Sequence, residues 1–194
     1  MAFLKSCVSI VLRRGNLLAV FNLLYFSSIF VAAWVAGFLF APPVYVGGSP
    51  EIFGTFPFGD PVIAFFVIFL SNLVLSAFVV VTLPGLGFFA LSAVTMAVRS
   101  VLWGLLIYPL PVWGFLAALP TLILEGEAYV FAAIAGTTLG VSWFKPSWLY
   151  REEGRLSRVD ALKKAFSEFK RMYFLVILLL FAGAIVETLT IAAL

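Results

Sequence analysis

Long apolar runs restrict the fold of this chain more than any other feature. Several stretches of about 20 residues hold almost no charged side chain, which is the length at which an α-helix crosses the hydrocarbon core of a bilayer. Hydrophobic residues make up 64% of the 194 positions and charged residues 11%, against about 45–50% and about 25% in soluble domains. A soluble domain of this size needs more polar surface. The sequence therefore excludes a soluble enzyme and predicts one membrane domain over 1–194, an all-α transmembrane helical bundle.

Five spans are predicted from the apolar runs and from the residues that interrupt them. Pro84 and Gly85 are expected to break the chain between the second and third spans, because proline lacks a backbone donor and clashes with the preceding turn. A cleaved signal peptide is the alternative for the first run, but its apolar region would be only about 7–15 residues long. The first, second, third and last spans are placed at 17–40, 61–83, 87–107 and 172–194.

The apolar stretch 112–144 leaves two interpretations open for the fourth span. It is long for a simple span, and it contains Pro120 followed by Glu125, Gly126 and Glu127. One interpretation is a re-entrant segment or half-helix over 112–123 followed by a full helix over 124–143, since irregular backbone is tolerated at membrane depth where protein shields it. The other is one long, tilted helix that is kinked at Pro120.

The basic residues predict the orientation in the membrane. Apart from Arg99, every Lys and Arg lies in 1–14, an expected interfacial helix, or in 145–171, an expected cytoplasmic basic loop with an amphipathic helix over 159–171. The segment 41–60, an expected outer loop, has none. Since cytoplasmic loops carry the excess of Lys and Arg, we expect a multi-pass cell-membrane protein with its N-terminus in the cytoplasm and its C-terminus outside. The basic loop is expected to contact anionic lipid headgroups rather than nucleic acid.

Four charged residues fall inside the apolar segments: Arg99, Glu125, Glu127 and Glu187. A charge at the bilayer centre costs at least about 2.5–3.5 kcal/mol on insertion scales, so such residues usually face the bundle interior and find partners there. Counting about 1.5 Å per residue from the span ends places all four at mid-depth or in the outer half of the bilayer. Asn72 is expected to form a hydrogen bond to another helix.

Three interpretations of these charges remain open. Arg99 can form an internal ion pair with one or two of the glutamates. Alternatively, Glu125 and Glu187 form a cation-binding or proton-relay site with hydroxyl groups, for which Thr121, Thr188 and Thr190 are the candidates. Carboxylate and hydroxyl oxygens would suit a hard cation such as Na⁺, Mg²⁺ or Ca²⁺. In the third interpretation the glutamates are interfacial and have no partner.

Catalytic chemistry has little support in the sequence. The chain has no histidine and one cysteine, Cys7, which excludes classical zinc sites, His-based triads and disulfide frameworks. We expect no enzyme activity and no cofactor beyond the hard cation.

Small residues recur every four positions at Ala132, Gly136 and Gly140. This pattern indicates close helix packing, within the bundle or in a homodimer or complex with other membrane proteins.

The order of several motifs resembles the stage II sporulation protein M family of small integral membrane proteins. The matching pieces, which span roughly 15–192, are Phe69-Leu70-Ser71-Asn72-Leu73 with Leu83-Pro84-Gly85-Leu86-Gly87, Leu119-Pro120 with Glu125 and Ala128, Ile134-Ala135-Gly136 with Leu139-Gly140, and Ala161-Leu162-Lys163-Lys164-Ala165-Phe166 with Ile185-Val186-Glu187-Thr188.

Two of the intramembrane charged residues, Glu125 and Glu187, match glutamates in the family's motifs. The family's His-Gly is replaced here by Thr121-Leu122, and its Asn-Gly by Arg99-Ser100, so no role of that histidine transfers. The resemblance implies a non-enzymatic scaffold or membrane-complex subunit that works with partner membrane proteins. A small cation transporter or channel that uses the two glutamates is the alternative function.

Overall fold

Six helices form the structure of this protein, a computed structural model that describes residues 2–40, 60–151 and 156–193. Every regular element in these ranges is helical, which confirms the predicted all-α bundle. Most of the predicted outer loop 41–60 and a short part of the basic loop lie outside the described residues. The helices are α1 (Ala2–Arg13), α2 (Gly15–Leu39), α3 (Pro61–Gly87), α4 (Leu91–Ile107), α5 (Val112–Phe144) and α6 (Arg158–Ala193), with a 3₁₀ turn at Pro146–Trp148.

Five of the helices run between two ends of the bundle. Tyr108 donates a hydrogen bond of 2.7 Å to the Phe40 carbonyl at one end, and the rings of Phe89 and Trp148 lie 6.0 Å apart at the other. We call the second the basic end, because Arg14 also lies there, bonded to the Leu149 carbonyl. Four helices, α2, α3, α5 and α6, are long and apolar enough to cross a membrane. With 17 residues, α4 is at the short limit of a span, so five predicted spans fit.

Helix α5 is the centre of the bundle. It contacts α2, α3, α4 and α6, and its contact with α6 is the most extensive in the structure. Nearly every side chain from Glu125 to Ser142 is buried. Because this part of α5 is covered on nearly all sides, its polar groups need partners on the neighbouring helices.

Helix α2 shows how the lipid-facing helices pack on this centre. Its buried side chains follow one stripe at helical spacing, namely Phe21, Tyr25, Ile29, Ala32 and Ala36. The small side chains at the end of the stripe let α4 approach closely, and a Cβ added at Gly104 would collide with Ala32 and the Ile29 carbonyl. The other sides of α2 are apolar and exposed, as expected for a helix in contact with lipid.

Helix α3 continues through Pro84, so the predicted break at this residue is wrong. Asp60 caps the helix by accepting from the Val62 amide at 2.7 Å, and Pro61 occupies the first turn. From Ser71 to Thr82 the helix has π geometry, and the Leu83 amide bonds to the Phe78 carbonyl, five residues back. This wider pairing precedes Pro84 and differs from the α-helical pattern with which proline clashes. The helix ends only at Gly87.

Two other predicted boundaries are also absent from the structure. Helix α5 is continuous across Pro120, so the interpretation with a re-entrant segment is wrong and the single long helix is correct. The amphipathic segment 159–171 and the last span are one helix, α6, rather than a surface helix followed by a span. Helix α1 is separate from α2 and packs on α6. Its Cys7 and Ile10 are buried, while Phe3, Val8 and Leu12 are exposed.

Candidate functional site: a polar cluster in the centre of the bundle

A cluster of polar side chains joins three helices near the middle of the bundle. We call Asn72 of α3, Arg99 of α4, and Glu125 and Tyr129 of α5 the central polar cluster. The Asn72 amide nitrogen donates to a Glu125 carboxylate oxygen. Arg99 donates to the Asn72 carbonyl oxygen at 3.2 Å and to the Tyr129 hydroxyl at 2.8 Å. Asn72 therefore connects the cationic and the anionic member of the cluster.

Tyr129 holds Arg99 in place in two ways. Its hydroxyl donates to the Asn72 carbonyl oxygen at 3.0 Å while accepting from Arg99. The Arg99 guanidinium carbon also lies 4.6 Å from the centre of the Tyr129 ring, a distance at which a cation is attracted to an aromatic face. Arg99 stands at the midpoint of α4, where such contacts replace the hydration that the guanidinium has in water.

Two atoms of the cluster have no hydrogen-bond partner within the described residues. They are the second carboxylate oxygen of Glu125 and the Nε of Arg99, and both are buried. No ion pair joins Arg99 to a carboxylate in the part of the chain that the structure describes. Arg99 and Glu125 are thus linked through Asn72 rather than paired directly as one interpretation of the sequence proposed.

Glu187 of α6 lies beside the cluster. A cavity of about 220 Å³ is lined by Asn72, Arg99, Glu125 and Glu187, together with Ile68, Ser71 and Trp103. Helix α6 comes close to Glu125 one turn earlier, where a Cβ at Gly183 would lie 3.4 Å from the Glu125 Cγ. The two glutamates that the sequence singled out therefore line the same cavity.

The remaining candidates lie elsewhere. Glu127 is half-buried on the side of α5 that faces α2, where the Asn22 amide donates to it at 3.5 Å. The hydroxyls of Thr188 and Thr190 donate to carbonyls of their own helix, at Ala184 and Val186. Thr121 is buried one turn before Glu125, but it does not line the cavity.

The chemistry available at the cavity is that of two carboxylates, one amide and one guanidinium. This set can hold a proton or exchange it with water, and its oxygens can contact a hard cation. Arg99 opposes a cation there by charge. Among the described residues, no group of three or more His, Cys, Asp or Glu side chains is placed to hold a metal ion.

The small residues of α5 pack inside the bundle, not on its surface. A Cβ at Gly136 would lie 2.6 Å from the Thr82 carbonyl oxygen, and one at Gly140 would lie 2.9 Å from the Phe89 Cα and collide with the Gly85 carbonyl. Ala132 is fully buried, and its carbonyl accepts from Thr82 at 3.0 Å. This face of α5 is therefore occupied by α3, and a homodimer would have to use another surface.

One buried ion pair was missed by sequence reasoning. At the basic end, Arg14 Nη2 lies 2.8 Å from a carboxylate oxygen of Glu168, and both side chains are more than nine-tenths buried. Arg13 lies 3.5 Å from the other oxygen of Glu168 and is half exposed. No local pattern connects these residues, which are 154 positions apart.

The comparison with protein-family models identifies the same family as the sequence motifs. The family model described as Stage II sporulation protein M matches residues 21–190, a range that includes the whole central polar cluster and Glu187. No curated protein and no solved structure matches the chain significantly.

Proposed function

We propose that this chain, which belongs to the stage II sporulation protein M family, acts as a non-enzymatic subunit or scaffold of a membrane assembly. The observation that carries this proposal is the bridge that Asn72 makes between Arg99 and Glu125. It fixes α3, α4 and α5 against one another by directional bonds at membrane depth. A bundle held in one register in this way suits a structural subunit that presents a constant surface to its partners.

The glycine contacts support the same proposal. Gly85, Gly136 and Gly140 bring the backbones of α3 and α5 so close that no side chain fits between them. Close contacts of this kind stabilise helix pairs in membranes, and sliding of α3 along α5 would break them. The core of the bundle is therefore better suited to rigidity than to the rocking movements of a carrier.

Ion flux in proteoliposomes tests the proposal. The purified native chain should give background flux of H⁺, Na⁺ and Mg²⁺, and the double variant Glu125→Gln with Glu187→Gln should give the same background. In native membranes solubilised in mild detergent, the tagged chain should migrate as a particle of fixed composition. The mass of this particle should exceed the mass of the chain alone. Flux well above empty liposomes, or a particle no larger than the chain, would overturn the proposal.

A small cation transporter or channel is the second candidate, and a different observation favours it. The second carboxylate oxygen of Glu125 is buried and has no hydrogen-bond partner among the described residues, and Glu125 shares a cavity with Glu187. Leaving a buried acceptor unpaired costs about 1–3 kcal/mol or more for a charged group, which a proton or cation held between the two carboxylates would offset. For this candidate, flux should be present in the native chain and should fall at least tenfold in either Glu125→Gln or Glu187→Gln.

The orientation proposed from the sequence is retained as part of this function. We place the basic end in the cytoplasm, because arginines and lysines gather there and cytoplasmic loops carry this excess. Partners that work outside the cell would then contact the end that holds Asp60 and Tyr108. The basic loop is proposed to contact anionic lipid headgroups, and a homodimer remains one of the assemblies that the particle measurement would detect by mass.

A further inference from the structure

A cleft opens between α2 and α4 at the basic end of the bundle. It has a volume of about 520 Å³, and its lining residues toward the basic end, which we call its mouth, include Arg13, Arg14, Asn16 and Trp148. Deeper inside the walls are apolar, with Leu17 and Phe21 on α2 and Ala90 and Ala93 on α4. The cleft is thus cationic at its mouth and apolar within.

An apolar groove continues from this cleft along the same two helices. It is lined by Leu24 of α2 and by Ala93, Ala97 and Val101 of α4, among others. Ala93 borders both spaces, so the two adjoin and mark one path along α2 and α4. Leu17, Phe21 and Leu24 follow one face of α2 along this path. From Ala90 to Val101 the path covers roughly 16 Å at 1.5 Å per residue. This is about half of the roughly 30 Å hydrocarbon core, the thickness of one leaflet.

The charges at the mouth leave a positive excess. Arg13 and Arg14 share the single carboxylate of Glu168. Arg14 gives its two terminal nitrogens to Glu168 and to the Leu149 carbonyl, while its Nε is buried without a hydrogen-bond partner in the described residues. An adjoining cavity of about 260 Å³ adds Lys164 and Arg171 beside Arg13 and Glu168. Among the described residues that line these two cavities, Arg13, Arg14 and Arg171 gather around the single carboxylate of Glu168.

From these observations we propose that the cleft is a binding site for one anionic phospholipid. The phosphate takes hydrogen bonds from Arg13 and from Asn16, and one acyl chain follows the groove between α2 and α4 for the depth of a leaflet. Cations at the mouth and apolar walls below match the two ends of such a lipid and do not match a free phosphate. The site is distinct from the central polar cluster and does not rest on the proposed function.

Native mass spectrometry of the full chain tests this site. The chain is released from nanodiscs that contain equal amounts of phosphatidylglycerol and phosphatidylcholine, and the lipids that stay bound are counted. We expect one phosphatidylglycerol to be retained in preference to phosphatidylcholine. Arg13→Gln should lower this preference about fivefold, the effect of one basic residue near an anionic surface. Arg13 is half exposed, so this variant keeps the fold.

Matched controls separate the site from general charge attraction. Arg158→Gln removes the same charge from an exposed position outside the cleft and should leave the preference unchanged. Ala97→Phe fills the groove and should abolish retention of the lipid, whereas Ala19→Phe on the exposed side of α2 should not. Equal retention of both lipids, equal effects of Arg13→Gln and Arg158→Gln, or displacement of the lipid by millimolar inorganic phosphate would each overturn the proposal.

A fluorescence measurement covers the case in which Ala97→Phe fails to fold. Trp148 lines the mouth of the cleft and reports on it once the other four tryptophans are changed to phenylalanine. In phosphatidylcholine nanodiscs with one brominated lipid in ten, brominated phosphatidylglycerol should quench Trp148 more strongly than brominated phosphatidylcholine. The difference should become smaller in Arg13→Gln. Equal quenching by the two lipids in the unchanged cleft would contradict the site.

Discussion

Arg14 and Glu168 meet in a buried ion pair that ties the beginning of the chain to the first turns of α6. The pair is 2.8 Å long, and the Arg14 guanidinium also lies 5.4 Å from the centre of the Tyr150 ring. It therefore holds three separate segments together at the basic end. Burying two charges is costly, and the pair compensates only while both members are present.

Removing one member of this pair should destabilise the protein. Arg14→Gln or Glu168→Gln should each lower the free energy of unfolding by about 3–5 kcal/mol, because the remaining buried charge loses its closest partner. Replacing both, as Arg14→Met with Glu168→Leu, should cost clearly less than either single change. Thermal unfolding in detergent, followed by circular dichroism, measures these differences. The matched control is Arg13→Gln, whose half-exposed side chain should contribute no more than about 1 kcal/mol.

Glycine packing between α3 and α5 gives a second prediction. Gly140→Ala should destabilise the bundle by about 1–3 kcal/mol, the usual cost of overpacking, because the new methyl group would meet the Gly85 carbonyl and the Phe89 backbone. Gly87→Ala is the matched control, since nothing lies within 4 Å of a Cβ at Gly87. Unfolding in increasing mole fractions of SDS compares the two. Equal stability of both variants would mean that α3 and α5 are not packed as described.

The central polar cluster predicts which of two substitutions, Asn72→Leu or Glu125→Gln, destabilises the protein more. Asn72→Leu should lower the free energy of unfolding by about 1–3 kcal/mol, because it leaves Glu125 and Arg99 without the bond that each makes to the amide. Glu125→Gln should be neutral or stabilising. The new amide oxygen still accepts from Asn72, and the carboxylate charge no longer has to be buried. The same SDS titration measures both variants. If Glu125→Gln were the more damaging change, the charge itself would be essential to the fold.

The proposed orientation predicts which residues react with reagents from each side. In a Cys7→Ala background, Asp60→Cys should be labelled by a membrane-impermeant maleimide in intact cells, and Arg151→Cys only after the membrane is opened. Both residues are exposed in the structure. The reason is the excess of Lys and Arg at the basic end, which favours the cytoplasmic side. The reverse pattern of labelling would invert the topology without affecting the fold.

The sequence predicted the helical bundle and singled out charged residues that share one cavity, but it did not predict their hydrogen-bond partners. Apolar runs and the cost of burying charge were enough to single out Arg99, Glu125 and Glu187, because both depend on composition and length alone. Tyr129, which bonds to Arg99, was not among the candidates. The spacing could have indicated it, because Glu125 and Tyr129 are four residues apart and therefore share a face of α5. An aromatic residue in an apolar helix gives no sign by itself that its hydroxyl is needed.

Proline was a poor guide to the helix boundaries: the predicted break at Pro84 was wrong, and at Pro120 the continuous helix is the correct one of the two interpretations. Pro84 and Pro120 both lie inside continuous helices, since backbone groups freed by proline can find other partners within a packed membrane bundle. The π geometry from Ser71 to Thr82 has no local sequence pattern that would predict it. The ion pair between Arg14 and Glu168 could not be predicted either, because it depends on how α1 and α6 meet in three dimensions.

The central position of α5 has a consequence for how the protein is made. The ribosome adds Arg99 to the chain 30 residues before Tyr129. Helix α6, which makes the most extensive contact with α5, is synthesised later still. During synthesis Arg99 thus enters the membrane when Asn72 is the only member of its cluster already present. We therefore expect the first three spans to need a protected, hydrated site, such as the translocation machinery provides, until α5 is inserted and encloses the Arg99 charge.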